Sequence, residues 1–171
     1  MTEIPDTVGF AVMTVSDTRD AKTDKTGPWL REQMIAEGHC VIDHAIVADE
    51  IAAIQAKLKH WIADPAIHAI IATGGTGLTG RDVTPEAFRP LFDKEMDGFA
   101  AVFHQVSFKS VGVSTIQSRA IAGISGGTYL FAIPGSSGGC RDAWNHVLRD
   151  EFDRTHGPCN LVELIPRLTE R

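Results

Sequence analysis

Two stretches of the chain, Gly9–Val15 (GFAVMTV) and Thr128–Ile133 (TYLFAI), and a third over residues 67–73 (IHAIIAT), are apolar at nearly every position. Each stops abruptly at a polar or glycine-rich loop. A strand with one wet face alternates, so an uninterrupted apolar run of this length suits a strand buried on both faces. Cys40–Val47 is a fourth strand candidate. Between the runs the period changes to that of a helix. From Thr26-Gly27-Pro28, the residues Trp29, Leu30, Met34 and Ile35 share a face until Gly38 ends it. After Asp49-Glu50, the residues Ile51, Ile54, Leu58, Trp61 and Ile62 do the same until Asp64-Pro65. Thr84-Pro85-Glu86 starts another helix, with proline where its missing N–H is harmless. Residues 98–108 and 115–124 read as helices, and a last one runs through Trp144, Val147, Leu148 and Phe152. Buried strands alternating with amphipathic helices predict an α/β fold: a three-layer α/β/α sandwich around a mostly parallel sheet.

A chain of 171 residues with 43% hydrophobic side chains suits one domain over residues 1–171, burying roughly 70% of its unfolded surface. Its formal charge of -6 and the absence of any Lys/Arg cluster argue against nucleic acid as a partner. Cys40, Cys140 and Cys159 are odd in number and far apart, so buried reduced thiols are expected rather than a disulfide framework. No apolar run approaches a membrane span and the first residues lack the pattern of a signal peptide, so a cytoplasmic protein is expected. The seven histidines show no ligand spacing. Trp29, Trp61 and Trp144 lie on apolar helix faces and read as core or subunit contacts.

In such sheets ligands bind beyond the carboxyl ends of the strands. Four loops compete there: Ser16-Asp17-Thr18, Ala48-Asp49-Glu50, residues 73–82 and residues 134–139. The third, TGGTGLTGRD, satisfies G-x-G-x-x-G at Gly75, Gly77 and Gly80. A dinucleotide fingerprint, however, needs a helix to start at once, and here the helix signal waits until Thr84, after a charged Asp82. A P-loop needs Lys and Ser/Thr after its last glycine, where this chain has Arg81 and Asp82. Four glycines in seven residues exceed what a turn requires. A backbone that can approach an anion, beside a carboxylate, points to a phosphate bridged by a divalent metal, and so to magnesium–nucleotide chemistry.

The run TGGTGLTGRDVTPEA, together with VADE, IQSRA and the strand-end PGS, resembles the MoaB/MogA family of molybdenum cofactor biosynthesis proteins. GFAAVFHQVSFKSVG and STIQSRAIAG look more like its MoaB branch. The resemblance covers nearly the whole chain. It implies a molybdopterin-binding fold, assembly into trimers or hexamers, and molybdopterin adenylyltransferase activity with ATP, molybdopterin and Mg2+. By the same resemblance, Asp82 and Asp49 are the catalytic, magnesium-holding carboxylates. Gly74, Gly75, Thr76 and Gly77, with Asp17 on the rim, receive the nucleotide. Ser118, Arg119, Pro134, Gly135 and Ser136 receive the pterin. Many relatives carry a second proline where this chain has Ser137. A non-catalytic pterin- or nucleotide-binding oligomer is the alternative.

Each acid also has a bland reading. Asp49 is placed to cap the helix after it, and Asp82 lies just outside capping position for the helix at Thr84. Ser118 and Arg119 could be solvated helix residues or a subunit salt bridge.

Overall fold

The computed structural model describes residues 3–170. Along the chain run β1 (Gly9–Val15), α1 (Thr26–Ala36), β2 (Cys40–Val47), α2 (Ile51–Ile62), β3 (Ala69–Thr73) and α3 (Thr84–Phe88). They are followed by β4 (Lys94–Glu95), α4 (Asp97–Val111), β5 (Ile121–Ser125), β6 (Thr128–Ile133) and α5 (Ser137–Ala143). The last helix continues through a π-type turn, Trp144–Leu148, to Arg149–Glu151.

Six strands form one sheet in the order β2-β1-β3-β6-β5-β4. The first four are parallel, and β5 is antiparallel to both of its neighbours. Residues of β1 divide between two cores with period two. Phe10 and Val12 pack with Leu30, Met34, Phe103, Trp144 and Phe152 on one face, and Ala11 and Met13 with Ile54, Leu58, Trp61 and Phe88 on the other. The three-layer α/β/α sandwich follows directly.

Two expectations need correction. Residues 115–124 are not a helix: Gly112–Gln117 is a 3-10 turn, and Ile121–Ser125 is β5. Gly126 (φ +58°) and Gly127 (φ +90°) close a two-residue hairpin between Ser125 and Thr128, a turn whose handedness suits sheet twist and which glycine adopts without strain. The apolar spacing of Ile121, Ala122 and Ile124 fits either period over so short a run. The thiols also differ from expectation, since only Cys140 is buried and Cys40 and Cys159 are exposed. Burial pushes the Cys140 thiol up to about 12, so it stays protonated.

The strand order brings the loops together at one edge. From β1 the chain moves outward to β2, then returns past β1 to β3, and the loops leaving β1, β3 and β6 gather side by side at the carboxyl edge of the parallel strands, where ligands bind in such sheets.

Candidate functional site

The glycine loop leaves β3 through Gly74 (φ +113°) and Gly75 (φ +65°), conformations that a side chain would strain. Space is short as well, because a Cβ on Gly75 would lie 2.9 Å from Asp49 Oδ1. Thr84 fastens the turn from below: its Oγ1 donates to Gly74 O at 2.8 Å and its N–H to Gly75 O at 3.0 Å. The Gly74 N–H continues the sheet onto Ile133 O at 3.0 Å, so Gly74 contributes shape rather than a donor.

Asp82 braces the same loop. Its Oδ2 accepts from Thr79 N–H at 2.8 Å and Thr79 Oγ1 at 2.6 Å. Burial alone would raise this carboxyl. The Thr79 hydroxyl and amide, the Gly77 amide and the charge of Arg119 together bring it below its ordinary value, so it is ionised. Arg119 is wholly engaged with this loop: its N–H donates to Thr76 O at 2.8 Å, Nε to Gly77 O at 2.8 Å, Nη2 to Asp82 O at 2.7 Å, and Nη1 to Glu86.

Asp17 and Asp49 complete this rim. Asp17 accepts from Arg81 Nε at 2.8 Å and from the Asp49 N–H at 3.0 Å, and the Arg81 hydrogen bond holds its carboxyl low. Asp49 has the opposite balance. Burial and the charges of Asp17 and Asp82 push its carboxyl up. Neither Asp49 nor Asp82 caps a helix, because α2 and α3 begin at Glu50 and Val83 without side-chain caps. Neither acid is therefore a helix cap, and Asp82 instead braces the loop through Thr79.

Facing the glycine loop is the turn Pro134-Gly135-Ser136. A Cβ on Gly135 would come within 3.0 Å of Gly74 Cα, so the two turns touch. Ser136 Oγ caps α5 by accepting from Gly139 N–H at 3.2 Å. Between the turns lies a cavity of about 560 Å³, lined by Gly75, Thr76, Gly77 and Asp82 on one side and by Ser118, Pro134, Gly135 and Ser136 on another. The loop residues expected to hold nucleotide and those expected to hold pterin thus share one cavity. Asp17, Asp49 and Arg119 stand behind or beside it. The Ser118 hydroxyl is buried and has no hydrogen-bond partner, an arrangement that a ligand hydrogen bond would relieve.

Sequence reasoning missed the third wall. Ser107 and Val111 from α4, Ser114, Thr115 and Gln117 from the 3-10 turn, and Asp142 from α5 also line the cavity. The hydroxyls from Ser107 to Ser118 carry no local signal of convergence, and the spacing over residues 115–124 predicts a helix where the chain makes a 3-10 turn and then β5.

Carboxylate oxygens from Asp49, beside Gly75, and Asp82, beside Gly77, suit Mg2+, which takes one or two carboxylates and fills its shell with water and substrate phosphates. The raised Asp49 carboxyl supports the fit, because a cation there would relieve its repulsion from Asp17 and Asp82. Among the described residues, no group of three or more His, Cys, Asp or Glu could hold a metal.

The fold and this crevice define a class of α/β protein with a ligand site at the carboxyl edge of a mostly parallel sheet. A family model described as "Probable molybdopterin binding domain" matches residues 11–154. The chain belongs to that family, the MoaB/MogA proteins of molybdenum cofactor biosynthesis, on its MoaB side. Molybdenum cofactor biosynthesis protein B of Escherichia coli (strain K12) is 45% identical over 151 residues, which is 88% of this chain and 89% of the relative. A crystal structure of a molybdenum cofactor biosynthesis protein B superposes with a TM-score of 0.87 at 35% identity, covering 99% of this chain and 100% of the other. The tungsten cofactor synthesizing protein MoaB from Pyrococcus furiosus gives a TM-score of 0.77 at 34% identity, covering 86% of this chain and 93% of that one. Among the described residues, no helix is long and apolar enough to cross a membrane.

Proposed function

We propose that this protein acts in molybdenum cofactor biosynthesis by adenylylating molybdopterin with Mg-ATP. A terminal phosphate oxygen of the pterin attacks the α-phosphorus of ATP, the bond to the bridging oxygen breaks, and pyrophosphate leaves. The observation that carries this reading is the single cavity between the glycine loop, flanked by Asp49 and Asp82, and the turn Pro134-Gly135-Ser136. Nucleotidyl transfer asks mainly for in-line placement and charge neutralisation, and no protein nucleophile is needed.

The chain's own residues divide the work. Gly75 and Thr76 present backbone to the nucleotide phosphates, and Thr84 and Arg119 keep that backbone rigid from behind. Asp82 and Asp49 hold magnesium, which neutralises the phosphate charge when bound. Ser118 and the turn at Gly135 take the pterin side, and Asp17 keeps Arg81 at the nucleotide rim. Arg119 supports this pocket through the glycine loop, since its donors are already directed at loop carbonyls and Glu86.

The protein works as a homo-oligomer, a trimer or a pair of trimers. Support comes from Phe108, Val111, Val113 and Ile116, which end α4 and enter the next turn beside the cavity; Val113 is 72% and Ile116 77% exposed. Apolar exposure concentrated in this way marks a contact surface.

The test is incubation with molybdopterin, ATP and magnesium, followed by mass spectrometry. Adenylylated pterin and pyrophosphate are expected. Tight pterin binding without either product would leave the alternative, a non-catalytic binding oligomer.

A further inference from the structure

Asp24 is the one acid among the buried described residues, at 6% exposure, and it lies outside the cavity just described. Burying a carboxylate costs several kcal/mol unless it is thoroughly hydrogen-bonded, and Asp24 is. Its Oδ2 accepts from Thr14 Oγ1 at 2.6 Å, and its Oδ1 from the N–H groups of Thr26 at 3.1 Å and Gly27 at 3.2 Å. Gly27 has no room for a side chain there, since a Cβ would collide with Asp24, His44 and Thr14 together. His44 Nε2 approaches Asp24 Oδ2 at 3.5 Å, and burial keeps the imidazole pKa below its ordinary value.

The negative charge so fixed has a cation directed at it. Arg19 Nη1 lies 3.9 Å from Asp24 Oδ1 and donates to Thr26 Oγ1 at 3.0 Å. The other arm of the same guanidinium, Nη2, donates to Gly135 O at 2.9 Å, 116 residues along the chain in the turn that walls the cavity. Thr73 Oγ1 donates to the preceding carbonyl, Pro134 O, at 2.9 Å. Both peptide groups are trans, the one cis bond among the described residues being Gly157-Pro158. A trans peptide points its N–H opposite its carbonyl. With both carbonyls held by Thr73 and Arg19, the two peptide planes of the turn are fixed where Pro134, Gly135 and Ser136 wall the cavity. Successive main-chain N–H groups in a turn held in this way can cradle an anionic oxygen.

We infer that Arg19, locked by Asp24, is a positioning residue that sets the turn Pro134-Gly135-Ser136 to bind a phosphate oxygen of the pterin substrate. The inference rests on the proposed pterin site and adds the device that shapes it. Arg19 touches no substrate; it acts through the Gly135 carbonyl.

The test compares the full-length protein with its Arg19→Gln and Asp24→Asn variants by titration calorimetry against molybdopterin and, separately, against Mg-ATP, with urea unfolding alongside. Arg19→Gln removes one charge-assisted hydrogen bond to the turn, so pterin affinity should fall about tenfold. Mg-ATP affinity should stay within about twofold, because the glycine loop is held by Thr84 and Arg119 instead. The unfolding midpoint should barely move. Asp24→Asn should weaken pterin in the same direction, and the double variant no more than the worse single one, as expected of two residues in one linkage. Should Asp24→Asn fail to fold, Arg19→Gln alone decides. Unchanged pterin affinity in Arg19→Gln, equal weakening of both ligands, or additive losses would overturn the inference while leaving the functional reading intact. A parent protein that binds neither ligand would overturn both.

Discussion

The two rims of the cavity are built from different chemistry. The rim made by the loops after β1, β2 and β3 is charged: Asp17, Asp49, Asp82 and Arg81 stand there, with carboxyl affinities for protons driven apart, Asp17 and Asp82 down and Asp49 up. The rim made by α4, its following turn and the start of α5 is lined mostly by hydroxyls, with Ser107, Ser114, Thr115, Ser118 and Ser136 facing the cavity and Asp142 as its one carboxylate. Charge that is regulated by neighbours suits a metal-bound polyphosphate, whose own charge must be balanced. Hydroxyls suit a heterocycle with many donors and acceptors and little charge. Under the proposed function, the single cavity offers one side to each substrate, with the turns that touch at Gly74 and Gly135 between them.

The sharpest way to break this contrast is to neutralise one acid without moving the loop. Asp82→Asn retains an oxygen for the Thr79 amide but loses the charge. Transfer of the adenylyl group should fall by about 10²–10³-fold, the scale on which removal of one preorganised electrostatic contact is felt. Pyrophosphate release measures it, with pterin affinity expected to hold. Product at the parent rate would remove Asp82 from the charged rim's chemistry.

Gly75→Ala attacks the same rim through its backbone. The residue sits at φ +65°, and a methyl group would press on Thr84 and Asp49, so the fold should lose about 1–3 kcal/mol in urea unfolding. Nucleotide affinity should fall more than pterin affinity. An equal fall in both would mean that the two rims are not separable.

Ser118→Ala tests the neutral rim, with a smaller effect. The hydroxyl has no protein partner, so its removal should leave the unfolding midpoint unchanged or slightly raised. Pterin affinity should drop by about three- to tenfold, the worth of one neutral hydrogen bond. A loss of stability without a loss of affinity would return Ser118 to a packing role.

The two rims also differ in how far they could be read from sequence. The part of the charged rim after β3 was legible because it is local: a glycine turn, then Asp82, then the helix at Thr84, all directly after one apolar strand, whereas Asp17 and Asp49 come from the loops after β1 and β2. The parallel part of the sheet was legible for the same reason, since Gly9–Val15 and Thr128–Ile133 are apolar at nearly every position and suit strands buried on both faces. The neutral rim is assembled from α4, a 3-10 turn and α5, and nothing in the spacing of Ser107, Ser114 and Ser118 says that they converge. β5 was read as helix although Gly126-Gly127 marked a hairpin beside it. Asp24 stands in a polar loop segment, where an acid is ordinarily solvated, so its burial depends on partners contributed by β1, α1 and β2.

The smallest effect separates the charged rim's function from its stability. Asp49 has a carboxyl raised above the ordinary 3.8 by burial first, and then by Asp17 and Asp82. A group that binds its proton more tightly folded than unfolded makes the folded state less stable as pH rises from 3.8 through the raised value, and the full penalty is present above it. Asp49→Asn removes that penalty. Its urea midpoint should exceed that of the parent slightly near neutral pH, and the difference should vanish below 3.8, where both states of the parent are protonated. Magnesium should stabilise the parent in the presence of ATP, and the variant much less, because the charge that disfavours the empty loop is the charge that receives the cation. A variant less stable than the parent at neutral pH would mean that Asp49 braces the loop, as Asp82 does through Thr79, and that its charge is not one held ready for the cation.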